Sequence, residues 1–232
     1  MVVSYAKDDT IRLWDVRSET EIMQKHLTHV TSVQFSPKGD SIVSSSNDGA
    51  ICFWAVSSGQ LIKKLEEDGV IFDIQFSPDG QLLVSSLSNN TIAIWNVKSS
   101  EKVHVLRGHS DIVRKAAFSS DGRFVVSCSS DNTIRTWDAI AGTEIQKFEA
   151  GSEGTHDVKF LPSGQIIVAC LSEKVQLWDV KLKVVIQKFG GYEMCKISID
   201  VSSDGNMIAL SLENATIKLL KKIVLFKKIL KK

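Results

Sequence analysis

Proline occurs only three times and tyrosine twice in this chain of 232 residues, and neither sign of charge is in excess. Lysine and arginine number 28 against 27 acidic residues, a formal net charge of +1 with histidine neutral. That balance argues against a dedicated nucleic-acid binder, which needs a surplus of cations to neutralise phosphates. Long apolar runs are also missing: the longest is the six residues Ile166–Leu171, far short of the ~18 that cross a bilayer. No transmembrane segment is expected. The opening residues MVVSYAKDDT contain no basic stretch, no apolar core and no small-residue cleavage site, so no secretory signal is read there and a cytoplasmic or nuclear location is expected. Cysteine is sparse, at Cys52, Cys128, Cys170 and Cys195, with no C-x-x-C and no histidine at ligand spacing. These read as buried thiols, and neither a metal site nor a cofactor is expected. Hydrophobic residues at 43% nevertheless suffice for a core.

What the chain does have is a ruler. Its five tryptophans, Trp14, Trp54, Trp95, Trp137 and Trp178, are separated by 40, 41, 42 and 41 residues. The turns Lys38-Gly39, Asp79-Gly80, Asp121-Gly122, Ser163-Gly164 and Asp204-Gly205 repeat at 41, 42, 42 and 41. Stepping on from Trp178 reaches Leu220, where TIKLL parallels the TIRTW that ends at Trp137. One unit therefore occurs six times, and such a period marks a repeat architecture filling residues 1–232 as one domain. Within a unit, an alternating stretch such as Val30 to Phe35, a turn, SIVSSS, the turn Asn47-Asp48-Gly49, ICFWAV, a Ser/Gly turn and QLIKKL spell four short strands, here named a to d in chain order. A four-stranded sheet with two apolar faces cannot cover both itself; sheets fanned about one axis cover each other.

These residues resemble the WD40 repeat family, over essentially the whole chain. The Trp-Asp pair stands at 14–15, 137–138 and 178–179, the phrase FSPDG at Phe76 to Gly80, and a Gly-His pair at Gly108-His109. The resemblance implies an all-β propeller of six four-stranded blades. The first blade starts at strand b and lacks its innermost strand, which leaves either a piece of a larger propeller or an imperfectly closed ring, with open sheet edges that invite pairing. It also implies a buried polar network: His26, Asp48 and Trp54 in blade 2, and His109, Ser127, Asp131 and Trp137 in blade 4. Ser, His and Asp together suggest a hydrolase at first sight, but no G-x-S-x-G elbow accompanies them, and an indole N–H needs a buried partner anyway. No enzyme is expected. Six residues before each Trp or its equivalent stand Asp8, Asp48, Asn89, Asp131, Ser172 and Asn214.

Near the start of strand a, Thr31, Phe72, Arg114, His156 and Ile197 vary at one fixed repeat position against a repetitive scaffold. That is the pattern of a protein-binding ring. The b–c turn residues Lys7, Asn47, Ser88, Ser130, Leu171 and Glu213 form a second, weaker ring. With Arg114 alone among arginines in the first ring, a phosphopeptide pocket has little support. Residues 2–17 also resemble the WDxR box of substrate receptors of cullin-RING ubiquitin ligases, where Arg17 would contact the adaptor. The paired-arginine FRRG motif of lipid-binding propellers is missing. Lastly, residues 218–232 hold seven lysines and no acid, leaving about −6 on the rest. This segment reads as the last strands of blade 6, or else as a basic amphipathic helix able to touch an anionic membrane surface. The expected function is a non-enzymatic scaffold for peptides or partner domains in a multiprotein complex, with a ligase substrate receptor as the alternative.

Overall fold

The computed structural model describes residues 1–6, 8–18, 20–26, 29–151, 154–172, 174–190, 198–212 and 216–221, with 22–26 and 221 described by backbone alone. It is all-β, in six antiparallel sheets that follow the repeat. Blade 1 is β1 (Val2–Tyr5), β2 (Thr10–Asp15) and β3 (Thr20–His26), and blade 2 is β4 (Val30–Phe35), β5 (Ser41–Ser46), β6 (Ala50–Ala55) and β7 (Leu61–Glu66). Blade 3 comprises β8 (Ile71–Phe76), β9 (Leu82–Leu87), β10 (Thr91–Asn96) and β11 (Lys102–Arg107). In blade 4 they are β12 (Val113–Phe118), β13 (Phe124–Ser129), β14 (Thr133–Asp138) and β15 (Thr143–Glu149). Blade 5 is β16 (Thr155–Phe160), β17 (Ile166–Leu171), β18 (Lys174–Asp179) and β19 (Val184–Gly190), and blade 6 begins β20 (Ile199–Val201), β21 (Met207–Ser211), β22 (Ile217–Lys221). Among the described residues blade 1 has three strands, as its sequence implied. The reading of 222–232 as strand d or helix lies outside the described residues.

Burial explains why the sheets fan out. The core divides into five clusters, and each joins two consecutive blades. Ile11 and Leu13 of blade 1 meet Ile42 and Trp54 of blade 2; Ile92, Ile94 and Leu106 of blade 3 meet Val125 and Trp137 of blade 4. Trp54, Trp95, Trp137 and Trp178 thus each pack against the blade before their own. In blades 2 to 5 the b and c strands are buried on both faces and read as near-continuous apolar or small runs, whereas the d strands alternate, with Leu61 and Ile62 exposed on β7. Transfer of this apolar surface out of water stabilises by roughly 25 cal/mol per Å².

Local chemistry sets the turns. In blade 3, Ser77 Oγ donates to Asp79 Oδ1 at 2.6 Å and accepts from the Leu82 N–H at 2.9 Å, while Gly80 takes φ +71°. The same Ser, Asp and Gly geometry recurs at Ser119, Asp121 and Gly122. Only glycine adopts that φ without strain, which is why the F-S-x-x-G phrase recurs.

Candidate interaction face

Strand a enters each complete blade through the same irregularity. Pairing with strand b slips between Val30 and Ser32, between Ile71 and Asp73, between Val113 and Lys115, and between Thr155 and Asp157. The extra residues are Thr31, Phe72, Arg114 and His156. A β-bulge leaves its extra residue unpaired and re-aims its side chain, so the four variable residues stand at equivalent points of the rim where the d–a and b–c connections lie. Ile197 lies outside the described residues.

Each bulge side chain is fixed differently. Thr31 Oγ1 shares a hydrogen bond with Ser45 Oγ at 2.8 Å. The Arg114 Nε–H donates to Ser130 Oγ at 3.0 Å, and its guanidinium carbon lies 6.0 Å from the centre of the half-buried Phe72 ring. His156 Nε2 lies 3.1 Å from Ser172 Oγ. Blades 3 to 5 therefore present an aromatic face, a cation and an imidazole in succession. Of the b–c residues, Asn47 is exposed and Ser88 accepts the Val70 N–H at 3.1 Å. Leu171 is not on the rim: it is the last residue of β17 and wholly buried. The b–c connection of blade 5 is one residue shorter, since Ile167 faces Trp178 where Val125 faces Trp137, and this draws Leu171 into the sheet. Lys7 and Glu213 lie outside the described residues.

Beneath the rim, blade 4 carries an uninterrupted polar relay. Trp137 Nε1–H donates to Ser127 Oγ at 2.9 Å, Ser127 Oγ lies 2.8 Å from His109 Nε2, and His109 Nδ1 lies 2.9 Å from Asp131 Oδ2. With the carboxylate accepting, Nδ1 carries the proton and Nε2 accepts the serine hydroxyl. Asp131 also accepts from the Thr133 N–H at 2.9 Å and Thr133 Oγ1 at 2.7 Å, and from the Ser110 N–H at 3.0 Å. Burial would raise its carboxyl pKa, but these hydrogen bonds outweigh it and hold the value at about 2. Burial pushes His109 below its ordinary value, more than the carboxylate beside it raises it. Gly108 leaves room here: a Cβ would stand 3.1 Å from the Trp137 ring and closer still to the ends of the Arg135 and Glu144 side chains, which would have to shift. Ser127 is wholly buried.

The other blades vary this theme. In blade 2, Trp54 Nε1–H donates to Ser44 Oγ at 2.9 Å, and Asp48 accepts from Ser46 Oγ and from the Ala50 N–H. The side chain of His26 lies outside the description. In blade 3 the histidine's place is taken by a residue that the sequence reading missed, Glu67. Its Oε1 accepts from Trp95 Nε1 at 2.6 Å and Ser85 Oγ at 2.9 Å, and its Oε2 pairs with Lys102 Nζ at 2.7 Å. In blade 5 Ala169 stands at the serine position, and Trp178 Nε1 is buried with no partner among the described residues.

Arg17 is exposed in the turn after β2, on the face opposite the bulges, and its backbone N–H donates to Asp15 Oδ1 at 2.8 Å. Among the described residues no helix is long and apolar enough to cross a membrane, and no cluster of His, Cys, Asp and Glu is set to hold a metal.

Six sheets fanned around an axis, with the Trp N–H hydrogen-bonded in blades 1 to 4 and one bulged side chain at the rim in blades 2 to 5, define a β-propeller. The model of the WD domain, G-beta repeat, matches residues 18–55, 59–96 and 100–138. With six blades built on one plan, the chain belongs to the WD40 repeat family. It is also similar to Polycomb protein esc of Drosophila melanogaster, 32% identical over 71 residues, and of Drosophila virilis, 31% identical over 71 residues. Each match covers 28% of this chain and 17% of the relative, so the chain aligns with about a sixth of the relatives' length.

Proposed function

We propose that this protein is a non-enzymatic interaction scaffold whose partner docks on the bulge face, chiefly on Phe72, Arg114 and His156, in the cytoplasm or the nucleus. The observation that carries this reading is the repeated bulge: four blades place one unpaired residue at the same point of the rim, and its type changes from blade to blade, from Thr31 to Phe72, Arg114 and His156. Aromatic and arginine side chains dominate binding energy at interfaces. Family membership supports the general role of holding protein partners. The polar relay, buried under the rim, supports a structural rather than a catalytic part for His109, Ser127 and Asp131.

The test compares prey captured by the unsubstituted chain with prey captured by a Phe72/Arg114/His156 triple alanine variant and by a Lys38/Ile140/Leu182 triple alanine variant of the opposite face. Loss of the same proteins in the first variant alone supports the reading; loss in the second alone moves the interface to the other face. A ligase-receptor role rests on the exposure of Arg17. It is abandoned if Arg17→Ala leaves adaptor binding unchanged.

A further inference from the structure

On the face opposite the bulges, blades 2 and 3 enclose an open cleft of about 720 Å³, within the ~300 to 1,000 Å³ of ligand sites. Its walls are the a–b turn of blade 2, the a–b turn of blade 3 and the c–d turn that follows Trp95. All three are fixed in place. The Pro37 ring lies over Gly80, where a Cβ would stand 3.3 Å from the proline Cδ. Asn96 Oδ1 accepts the Lys98 and Ser99 N–H groups at 3.0 and 2.9 Å, and the Val97 N–H donates to the Gln81 carbonyl at 2.9 Å. From β7, Lys63 Nζ reaches across to the Val97 carbonyl and, at 3.0 Å, to Ser100 Oγ. Walls already ordered cost a ligand little to meet.

Comparison with the other repeats shows what is particular to this cleft. Lys38 stands where the later a–b turns carry Asp79, Asp121, Ser163 and Asp204. Those aspartates accept the hydroxyl of the turn serine; in blade 2 that part passes to Asp40, whose Oδ1 accepts from Ser36 Oγ at 2.8 Å and Ser41 Oγ at 3.1 Å. A lysine is thereby released to the cleft. Lys98, on the facing wall, stands where the other c–d turns carry Arg17, Ser57, Ile140 and Lys181, and among the described residues only this pair of blades has lysine at both positions. Both lysines are exposed, and neither forms an ion pair among the described residues, although Lys38 adds to the serine hydrogen bonds that hold the Asp40 carboxyl below its ordinary value. Behind the wall, burial lowers the pKa of Lys63 and no carboxylate offsets it. The acceptors are largely engaged by the turns themselves: one oxygen each of Asp40, Asp79 and Asn96, and the Val97 carbonyl. Capacity for a ligand lies mainly in the two ammonium groups, beside an apolar strip of Pro37 and Val97.

We infer that this cleft is a second docking site and that it takes an acidic segment of a partner protein, with carboxylates on Lys38 and Lys98 and a neighbouring aliphatic side chain on Pro37 and Val97. Three ammonium groups, those of Lys38, Lys63 and Lys98, face two wall carboxylates, those of Asp40 and Asp79, so an acidic segment completes the charge balance that a basic one would worsen. Cations at an exposed site fix orientation and partner choice, while the apolar strip supplies area removed from water. The cleft does not share a residue with the bulge ring, so one disc holds two partners on its two faces.

Random octapeptides displayed on phage serve as the probe. They are selected on the whole unsubstituted chain, and phage also retained by a Lys38/Lys98 double alanine variant are discarded; both positions are exposed turn residues, and circular dichroism checks that the variant is folded. The remaining peptides are expected to be rich in Asp and Glu. The strongest, labelled with fluorescein and titrated by anisotropy, should bind one to one and lose about tenfold in affinity when its acids are changed to the matching amides, or when Lys38→Ala or Lys98→Ala is made singly. Lys181→Ala, at the position of Lys98 in blade 5, should change affinity by less than about twofold. Hydrogen exchange in the complex should slow at residues 97–100. The bulge-face reading stands or falls separately, since phage bound there are retained by the double variant and discarded. If no phage remain, if those that remain are not enriched in acids, if Lys181→Ala weakens binding as much as Lys98→Ala, or if inorganic phosphate at the peptide's own concentration displaces it, the cleft is no site for an acidic segment and the proposal is overturned.

Discussion

Trp137 and Trp178 hold the same position in adjacent repeats and meet opposite polar surroundings. The first donates to Ser127 and through it to His109 and Asp131; the second is 7% exposed, packs edge-on to Phe148 with ring centres 5.5 Å apart, and its N–H meets no acceptor among the described residues. Trp137→Phe therefore removes packing and also leaves Ser127 without its donor, costing about 2 to 4 kcal/mol. Trp178→Phe removes an unpaired donor along with the packing, so its cost is lower by about 1 kcal/mol or more. Urea midpoints of the two variants test this difference; equal midpoints refute it. The relay also has a pH signature. His109 keeps its proton less readily in the fold than in the unfolded chain, whose ordinary value is 6.5. Below that pH the unfolded state binds more protons, so His109 makes stability fall as pH drops from about 7 toward its lowered folded value. Asp131 acts further down: its contribution is complete above its ordinary value of 3.8 and is lost as pH falls toward about 2. Unfolding free energy measured from pH 7 to 5 should slope less in His109→Gln than in the unsubstituted chain.

At the scale of the element, residue spacing exposed most of the architecture, because a tryptophan marks five of the six blades and a turn glycine marks five. Function of position was harder to see when the residue type changed. His109 stands 28 residues before Trp137 and His26 stands 28 before Trp54; the same count back from Trp95 lands on Glu67. A search for histidine overlooks it, although a carboxylate accepts the indole N–H as well as a serine does. Its charge is balanced by Lys102, which also lies 4.8 Å from the centre of the Trp95 ring. The ring of Thr31, Phe72, Arg114 and His156 was visible as variation, yet the bulges behind it were not, since periodicity counts residues and is blind to a slip in pairing. Nor did spacing reveal that a b–c turn shortened by one residue pulls Leu171 into the core. The blade 3 arrangement makes its own prediction. Glu67→Ala strands Trp95, Ser85 and Lys102 together and should cost about 3 to 5 kcal/mol. Glu67→His restores the blade 4 chemistry at the indole and should recover at least half of that loss in a urea titration.

Across the whole molecule, each blade is held by the seam it shares with its neighbour, so stability is close to a sum of seam energies. The seams are unequal. Thr136 Oγ1, Gln146 Nε2, Thr155 Oγ1, Gln176 Oε1 and Trp178 Nε1 are the buried polar side-chain atoms without a partner among the described residues. All five residues belong to the facing surfaces of blades 4 and 5. Thr136 and Gln146 pair across β14 and β15 beside Ile134 and Phe148, while Thr155, Gln176 and Trp178 pair with Leu171, Ala169 and Ile167 across β16 to β18. The seam between blades 3 and 4, by contrast, encloses the complete relay of Trp137. Each unpaired buried group costs about 1 to 3 kcal/mol, so opening is cheapest where they gather. Native-state hydrogen exchange should show β14 to β18 opening at lower free energy than β9 to β13. Thr136→Val, which keeps the shape and removes one unpaired hydroxyl, should raise the urea midpoint, whereas Ser127→Ala in the neighbouring seam should lower it. If both substitutions lower it alike, the polar atoms between blades 4 and 5 are satisfied in solution and the molecule has no weak seam.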